Sequence, residues 1–519
     1  MKNWRLYWNT IRYLRTRQLL YQLVNRLRSK PSLTLKTVPP VTNFLAFTAP
    51  DKPQRVTGQT FTFLNQSVSF PTEVDWNYAK NGKLWLYNLN YFDFLNQPGL
   101  DLEQGIGLIR QFMRQSAELN GGLDPYPVSL RIINWIRFLS HHQLRLADID
   151  IHLQAQVRLL QGRLEYHLSG NHLLENGFAL LLGSMYFQDR HLYRKAIHLV
   201  RSQLTEQLLR DGGHYERSPM YHQIILDRLL DTCQTLKKDD WHDDRDADGF
   251  LLEQARRMLN WLVTITFSKG TIPLMNDAAD EMAPTTAQLR AKAERIGIKP
   301  QRTSLSDSGF RHFLTPKYEA LANVGTIGPA HQPGHAHADA FHFELHVHGQ
   351  PVLVDSGTST YEINARRQWE RSTAAHNTVQ VFDANSSDVW GGFRVGRRAT
   401  VTLLEETPTL IRAQHDGFQH LGLRHERQWV VAPDRLTIMD RIDDGPTAVA
   451  RFYLAPGVRP LVVNPNCLRF SWGNMEWQNA LEVSQKAVQV ARQFNQLLPT
   501  LVIEVQFKKT VRTIITCVE

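Results

Sequence analysis

The 519-residue sequence is poor in cysteine: Cys233, Cys467 and Cys517 are its only three, far apart and with no CxxC pair. That excludes a cysteine-built zinc module and offers no framework for a disulfide-stapled scaffold. No apolar run is long enough to span a bilayer. Acid is missing from one region altogether. Residues 1–50 carry Lys2, Arg5, Arg12, Arg15, Arg17, Arg26, Arg28, Lys30 and Lys36 and neither Asp nor Glu, and the rest of the chain holds 50 basic and 50 acidic residues. The net charge of +9 therefore belongs to this arm and says nothing of the body, so no nucleic-acid partner is indicated. An anionic ligand of the body would have to be met by local clusters such as Arg366, Arg367 and Arg371, or Arg394, Arg397 and Arg398.

The arm, "WRLYWNTIRYLRTRQLLYQLVNRLR", has no uninterrupted apolar h-region and no small-residue cleavage site, so it does not read as a secretory signal. A cytoplasmic or membrane-peripheral location is the expectation from sequence. Trp4, Trp8, Ile11, Leu19, Leu20 and Leu23 among the arginines suit an amphipathic helix. Such a helix could lie on an anionic membrane surface or dock on its own protein.

What is present is ordinary folded-protein composition, 42% hydrophobic and 21% charged, in a chain too long for one core, so two or three domains are expected. Residues 60 to 95 read as a short irregular lead ending in "LWLYNLNYFDFL". From about 100 to 300 apolar residues recur at helical spacing in eight segments with short connections, which predicts paired antiparallel helices. Ser218-Pro219 is an N-cap followed by proline at the first helical position, which puts Tyr221 in the first turn. From about 305 the texture changes to short alternating runs separated by turn residues, which predicts a large antiparallel β-sandwich. The expected organisation is an arm (1–50), a helical domain (51–303) and a sandwich (304–519), with a cleft between the two domains.

Histidine is concentrated in "HQPGHAHADAFHFELHVHG", residues 331–349. From Ala340 onward the alternation predicts a half-buried strand with Phe341, Phe343, Leu345 and Val347 inward and His342, Glu344, His346 and His348 on the solvated face. That leaves His335 and His337, flanked by small residues, as candidates for chemistry. Three stretches of the helical half add polar groups at helix starts or in loops: "SGNHLLENG" with Asn171, His172 and Glu175; "DGGHYERSPMYHQ" with His214, Glu216, Tyr221 and His222; and "PLMNDAADE" with Asn276 and Asp277. Each alone could be a capping or loop residue. Together they suggest a polar rim where helix N-termini converge. In the β-half, His337, Asp355 and His376 could supply two imidazoles and a carboxylate from adjacent strands to a zinc ion, although Asp355 before Ser356-Gly357 is also a good turn residue.

The ordered stretches "WLYNLNYFDFL", "PYPVSLRIINWIRFL", "GNHLLENG", "GGHYERSPMYH", "GHAHADAFHFELHVHGQPVLVDSGTSTY" and "AHNTV" resemble the heparinase II/III family of polysaccharide lyases over most of residues 85 to 400. The resemblance implies an α+β multidomain chain, with an N-terminal incomplete α/α toroid followed by a C-terminal antiparallel β-sandwich. It implies β-elimination on an acidic, uronic acid-containing polysaccharide. Tyr221 and His335 would act as base and acid, Asn171 or His172 would neutralise the substrate carboxylate, and Glu175, Glu216, His222, Asn276, Arg371 and Arg394 would contact substrate. His337, Asp355 and His376 would hold a structural Zn²⁺. By the same analogy a periplasmic location is favoured. The alternatives are a glycoside hydrolase on the same toroid, using Glu175, Glu216 or Asp277, and a non-catalytic saccharide-binding or exopolysaccharide-assembly protein. A metal-dependent amidohydrolase is disfavoured by the lack of a strand-helix repeat.

Overall fold

The structure is a computed structural model and describes residues 2–47, 52–443 and 445–518. Two short helices, α1 (Lys2–Ile11) and α2 (Thr16–Leu27), precede the helical domain. That domain begins with a three-stranded meander (Val56–Thr57, Thr60–Phe63, Gln66–Ser69) and a helix α3 (Lys83–Tyr91), where the sequence reading expected an irregular lead. Alternation within "TFTF" is the reason: Phe61 and Phe63 point the same way and pack edge-on against Phe94 and Trp85.

Eight further helices follow: α4 (Leu102–Gln115), α5 (Pro125–His141), α6 (Ala147–Gly162), α7 (Gly170–Tyr186), α8 (Arg190–Gln207), α9 (Pro219–Lys238), α10 (Arg245–Ile265) and α11 (Thr286–Arg295). Consecutive partners α7 with α8 and α9 with α10 pack side by side, and α5, α7 and α9 form the inner run. Their starts are set by side-chain caps: Asp101, Asp189, Ser218, Asp244 and Thr285 each accept a first-turn N–H. Trp76, Trp85, Trp135 and Trp261 are fully buried. Each indole contributes roughly 4–6 kcal/mol of gross apolar burial before chain entropy is charged against it.

The second half begins with the strand Phe310–Leu314. A four-stranded antiparallel sheet (Phe310–Leu314, Tyr318–Asn323, Phe343–Val347, Gln350–Leu353) lies with a ten-stranded sheet over a common core that includes Phe343, Trp429, Ile438 and Phe452. The long hairpin Gly473–Gln493 and Gln496–Cys517 carries its tip back to the helical domain. There Asn495 donates to the Leu64 carbonyl at 2.9 Å, Asn65 donates to the Phe494 carbonyl at 2.9 Å, and Arg492 pairs with Asp280 at 2.7 Å.

The strand Phe343–Val347 departs from the sequence reading, because both of its faces are buried. Its inner face meets the sandwich core, and its polar face meets the helical domain instead of water. Glu344 accepts the Leu274 N–H at 2.7 Å, and the His346 ring stacks on Phe267 with centroids 3.7 Å apart. Only His348 of that face is exposed. Tertiary packing overrode the half-buried pattern.

Candidate functional site

Three connections of the helical half and the histidine loop of the sandwich half converge. Ser218 fixes the start of α9: its hydroxyl accepts the Tyr221 N–H at 3.2 Å and donates to the Asp277 carbonyl at 2.6 Å. From the other side the Asp277 N–H donates to the His335 carbonyl at 3.1 Å. The result is a stacked pair, Tyr221 on His335, with ring centroids 3.8 Å apart and planes 27° from parallel. Both residues are half-buried.

Asp277 is the hub. Its carboxylate receives His335 Nδ1 at 3.0 Å, His337 Nε2 at 2.9 Å and both Nη atoms of Arg367, Nη2 at 2.7 Å. Burial alone would raise its pKa; Arg367 and the two histidines outweigh that and hold the carboxyl well below its usual range. An anionic Asp277 makes Nδ1 the protonated nitrogen of His335 and leaves Nε2 with its lone pair. That Nε2 lies 3.5 Å from Asn171 Nδ2 and 3.8 Å from Glu216 Oε2. The Tyr221 hydroxyl is 3.1 Å from that of Tyr361. Burial first, then Tyr361 and the negative charges of Asp277 and Glu216, keep the Tyr221 phenol well above its ordinary pKa, hence neutral.

Asn171, at the first turn of α7, donates its amide to Glu216 at 2.9 Å and 3.2 Å and its N–H at 2.9 Å. The position before it, Gly170, has φ +61°, and a Cβ there would meet Glu216 Oε1 at 2.2 Å. Glycine is what lets the chain approach that carboxylate. His172 lies over Tyr126 with centroids 4.3 Å apart and bonds Glu165 at 3.0 Å through Nδ1. Burial pulls its pKa down, but the Glu165 charge outweighs this and raises it. An aromatic run continues through the buried Tyr126 to the half-buried Tyr91 and Tyr87. On the other side Tyr361 and Phe393 flank His335.

Several residues expected to touch substrate have other work. Glu175 is fully buried and ion-paired with Arg228 at 3.0 Å. Glu216 is buried and held by Asn171. His222 accepts the His214 N–H at 3.2 Å and donates to the Met258 carbonyl at 2.9 Å, and burial lowers its pKa to about 3, so it is a neutral core histidine. Asn276 joins the Arg217 carbonyl to the His337 N–H. Arg371, fully buried, donates to the carbonyls of Ala336 and Arg394, at 3.0 and 3.3 Å, and so props the histidine loop from behind. Arg394 is exposed with its guanidinium over Trp390, and its neighbour Phe393 is the residue that faces His335. The sequence reading named Arg367 only within a basic cluster that could meet an anionic ligand, and it passed over Tyr361, Phe393 and the aromatic run. The spacing of Tyr87 and Tyr91, four apart on one helix, was the available signal for the run. Nothing local marked Arg367 as the partner of Asp277, which it reaches from 90 residues away.

Among the described residues, the group able to hold a metal is His342, Asp355 and His376, with one ligand atom of each within 4.8 Å of the others. This puts His342 where the sequence reading had His337, whose Nε2 is turned to Asp277. Protonation adds a second consideration. His342 accepts the Asn377 N–H at Nδ1, so its proton is on Nε2, which lies 3.1 Å from Asp355 and is buried without a hydrogen bond to it. His376 donates Nδ1 to Asp355 at 2.8 Å, leaving Nε2 buried and unpartnered; Nδ1 of His337 is likewise buried and unpartnered, and the two rings are 5.3 Å apart. Burial would raise the Asp355 carboxyl, but the surrounding imidazoles bring it down to about 2. A carboxylate among buried imidazoles with free lone pairs fits a divalent cation.

Residues 128–301 match the heparinase II/III N-terminus, and residues 298–508 match the heparinase II/III-like C-terminal domain. The chain belongs to the heparinase II/III-like family. Two family relatives named heparin-sulfate lyase are similar to it. That of Bacteroides stercoris is 25% identical over 248 residues, 42% of this chain and 37% of that protein. That of Pedobacter heparinus is 25% identical over 249 residues, with the same shares covered. The match thus spans well under half of these relatives. Among solved structures, a heparinase III superposes with a TM-score of 0.65 at 17% identity, covering 87% of this chain and 80% of that one. A mutant heparan sulfate lyase from Pedobacter heparinus gives 0.63 at 14% identity, with 97% and 88% covered. At those identities the likeness establishes the family's fold: a helical toroid followed by an antiparallel β-sandwich.

Proposed function

We propose that this protein is a polysaccharide lyase that cleaves an acidic, uronic acid-containing polymer by β-elimination. The observation that carries the reading is the stacked Tyr221–His335 pair with His335 Nδ1 held by Asp277. A base removes the C5 proton, the C–H electron pair forms the C4–C5 double bond, the C4–O bond breaks, and the leaving oxygen takes a proton. His335 Nε2, the nitrogen not held by Asp277, suits the base, and the neutral Tyr221 phenol suits the acid. Orientation by a buried carboxylate is the arrangement that keeps an imidazole in its useful tautomer.

The C5 proton becomes removable only if the C6 carboxylate is neutralised. His172 is the better candidate, since it is half-exposed and Glu165 favours its charged form, whereas the Asn171 amide already serves Glu216. The half-buried Tyr87 and Tyr91 offer faces on which sugar rings stack. A hydrolase would need two carboxyls free to reach the glycosidic bond, but Glu175, Glu216 and Asp277 are all buried and bonded. A divalent cation, zinc by family analogy, would be held by Asp355 and His376. The third nitrogen would come from His342 or from His337, which the protonation pattern favours. The ion would brace the loop bearing His335.

The test is a panel of uronic acid polymers. The expected result is an ultraviolet-absorbing unsaturated product from at least one polymer, lost in Tyr221→Phe with substrate binding retained. New reducing ends without that absorbance would establish hydrolysis, and binding without turnover on every polymer would establish a saccharide-binding protein.

A further inference from the structure

We propose that α1 and α2 form a docking face for an anionic membrane surface. The two helices attach to the body through a mixed side, where Tyr7 lies edge-on to Trp390 and Tyr21 packs against Tyr166 beside a set of polar bonds. Gln18 is buried and donates to the His331 carbonyl at 3.2 Å, Thr10 accepts Trp390 Nε1 at 3.1 Å, and Asn25 bonds His167 at 3.0 Å. Arg15 pairs with Glu206, and Arg17 lies over the Tyr166 ring at 3.4 Å. Other large apolar side chains look outward: Trp4 is 60% exposed, Trp8 61%, Leu20 55%, Leu23 56% and Leu27 79%. A helix that packs on its own protein turns its apolar stripe to the core. Here the apolar residues are divided: Tyr21 packs on the body, while Trp4 and Trp8 on α1 and Leu20, Leu23 and Leu27 on α2 stand in water.

Exposed large apolar side chains at helical spacing on both helices mark an interaction surface. Its charge selects the partner. Nine basic residues and no acid lie in residues 1–50, and Arg5, Arg12 and Arg26 are exposed beside the apolar patch. Facing a second copy would set like charges against each other. A bilayer with anionic headgroups offers both an apolar interior for the tryptophans and leucines and a negative potential for the arginines. The contacts that fix the arm also place it beside the site: His331 is four residues before His335, and His167 four before Asn171. Membrane docking would hold the reacting pair close to the lipid surface.

The test uses the full-length protein sedimented with vesicles of phosphatidylcholine alone or enriched in phosphatidylglycerol. Binding to the anionic vesicles is expected, weakened by salt. The combined variant Trp8→Ser, Leu20→Ser, Leu23→Ser, which alters only outward side chains, should reduce the bound fraction at least about tenfold with an unchanged circular dichroism spectrum. Wild-type protein left in the supernatant with both vesicles would overturn the proposal. So would a triple variant that binds like wild type, or a soluble oligomer that the triple variant dissociates in the absence of vesicle binding; the last would assign the face to a second copy.

Discussion

Asp277→Asn tests the chemistry at its hub. The carboxylate takes donors on both oxygens: His335 Nδ1 and Arg367 Nη2 on Oδ2, His337 Nε2 and Arg367 Nη1 on Oδ1. Asparagine keeps one acceptor and turns the other into a donor. Two losses follow. Arg367, fully buried, loses its charge partner, which costs about 3–5 kcal/mol. Placing the amide nitrogen towards His335 forces the imidazole to accept at Nδ1 and carry its proton on Nε2, which removes the base; a wrong tautomer in a comparable dyad costs about 10⁴ in kcat. The assay is the initial rate of unsaturated product formation with substrate saturating, alongside the half-life of thermal inactivation. A shortened half-life with kcat down about 10³–10⁴-fold is expected. Asp277→Glu, which keeps the charge, should recover most of the stability and little of the rate. If Asp277→Asn retained more than a tenth of the wild-type rate, His335 would not depend on Asp277 and the assigned roles would be wrong.

Tyr221→Phe removes one hydroxyl whose recorded bond is to Tyr361, so thermal stability should change by no more than about 1 kcal/mol while kcat falls about 10²–10⁴-fold; a rate within threefold of wild type would dismiss Tyr221 as the acid. Metal content by mass spectrometry should drop in His376→Ala and also in His337→Ala, and less in His342→Ala; the reverse order for the last two would make His342 the ligand. Asp440 gives a pH prediction. Burial would raise its carboxyl, but Arg427 and His425 bring it down to about 2. Being depressed on folding, it contributes about 2 kcal/mol above its unfolded pKa near 4, and this is lost as pH falls from about 4 towards 2. Denaturant unfolding of Asp440→Asn should therefore show a weaker acid dependence in that window than wild type.

Much of the helical half was legible because caps and apolar spacing are local. Ser218-Pro219 announced the start of α9, and the structure places the Ser218 cap on the Tyr221 N–H. Asn171, Tyr221 and Asp277 were likewise picked out as polar groups at helix starts or in loops, and His335 as an imidazole flanked by small residues before the strand; they lie together. The function of individual neighbours was less legible. Glu175, His222 and Arg371 carry the same chemistry as ligand-binding residues, and only their burial and partners show that they bind other parts of the protein.

By itself the sequence determined the helical and sandwich halves and the basic, acid-free arm, since each is written in spacing and composition over short stretches. Tertiary structure decided which face of each element meets water. The strand bearing Glu344 and His346 alternates as a half-exposed strand does, yet the helical domain covers its polar side, and His342 just before it is buried against Asp355 and Asn377 of the sandwich. The arm is amphipathic as a self-docking helix is, yet Gln18 is buried while Trp4, Trp8, Leu20, Leu23 and Leu27 are left exposed. Periodicity states that two faces differ. Which of them is buried depends on what the rest of the chain brings against it, and Arg367, crossing 90 residues to hold Asp277, is the clearest case.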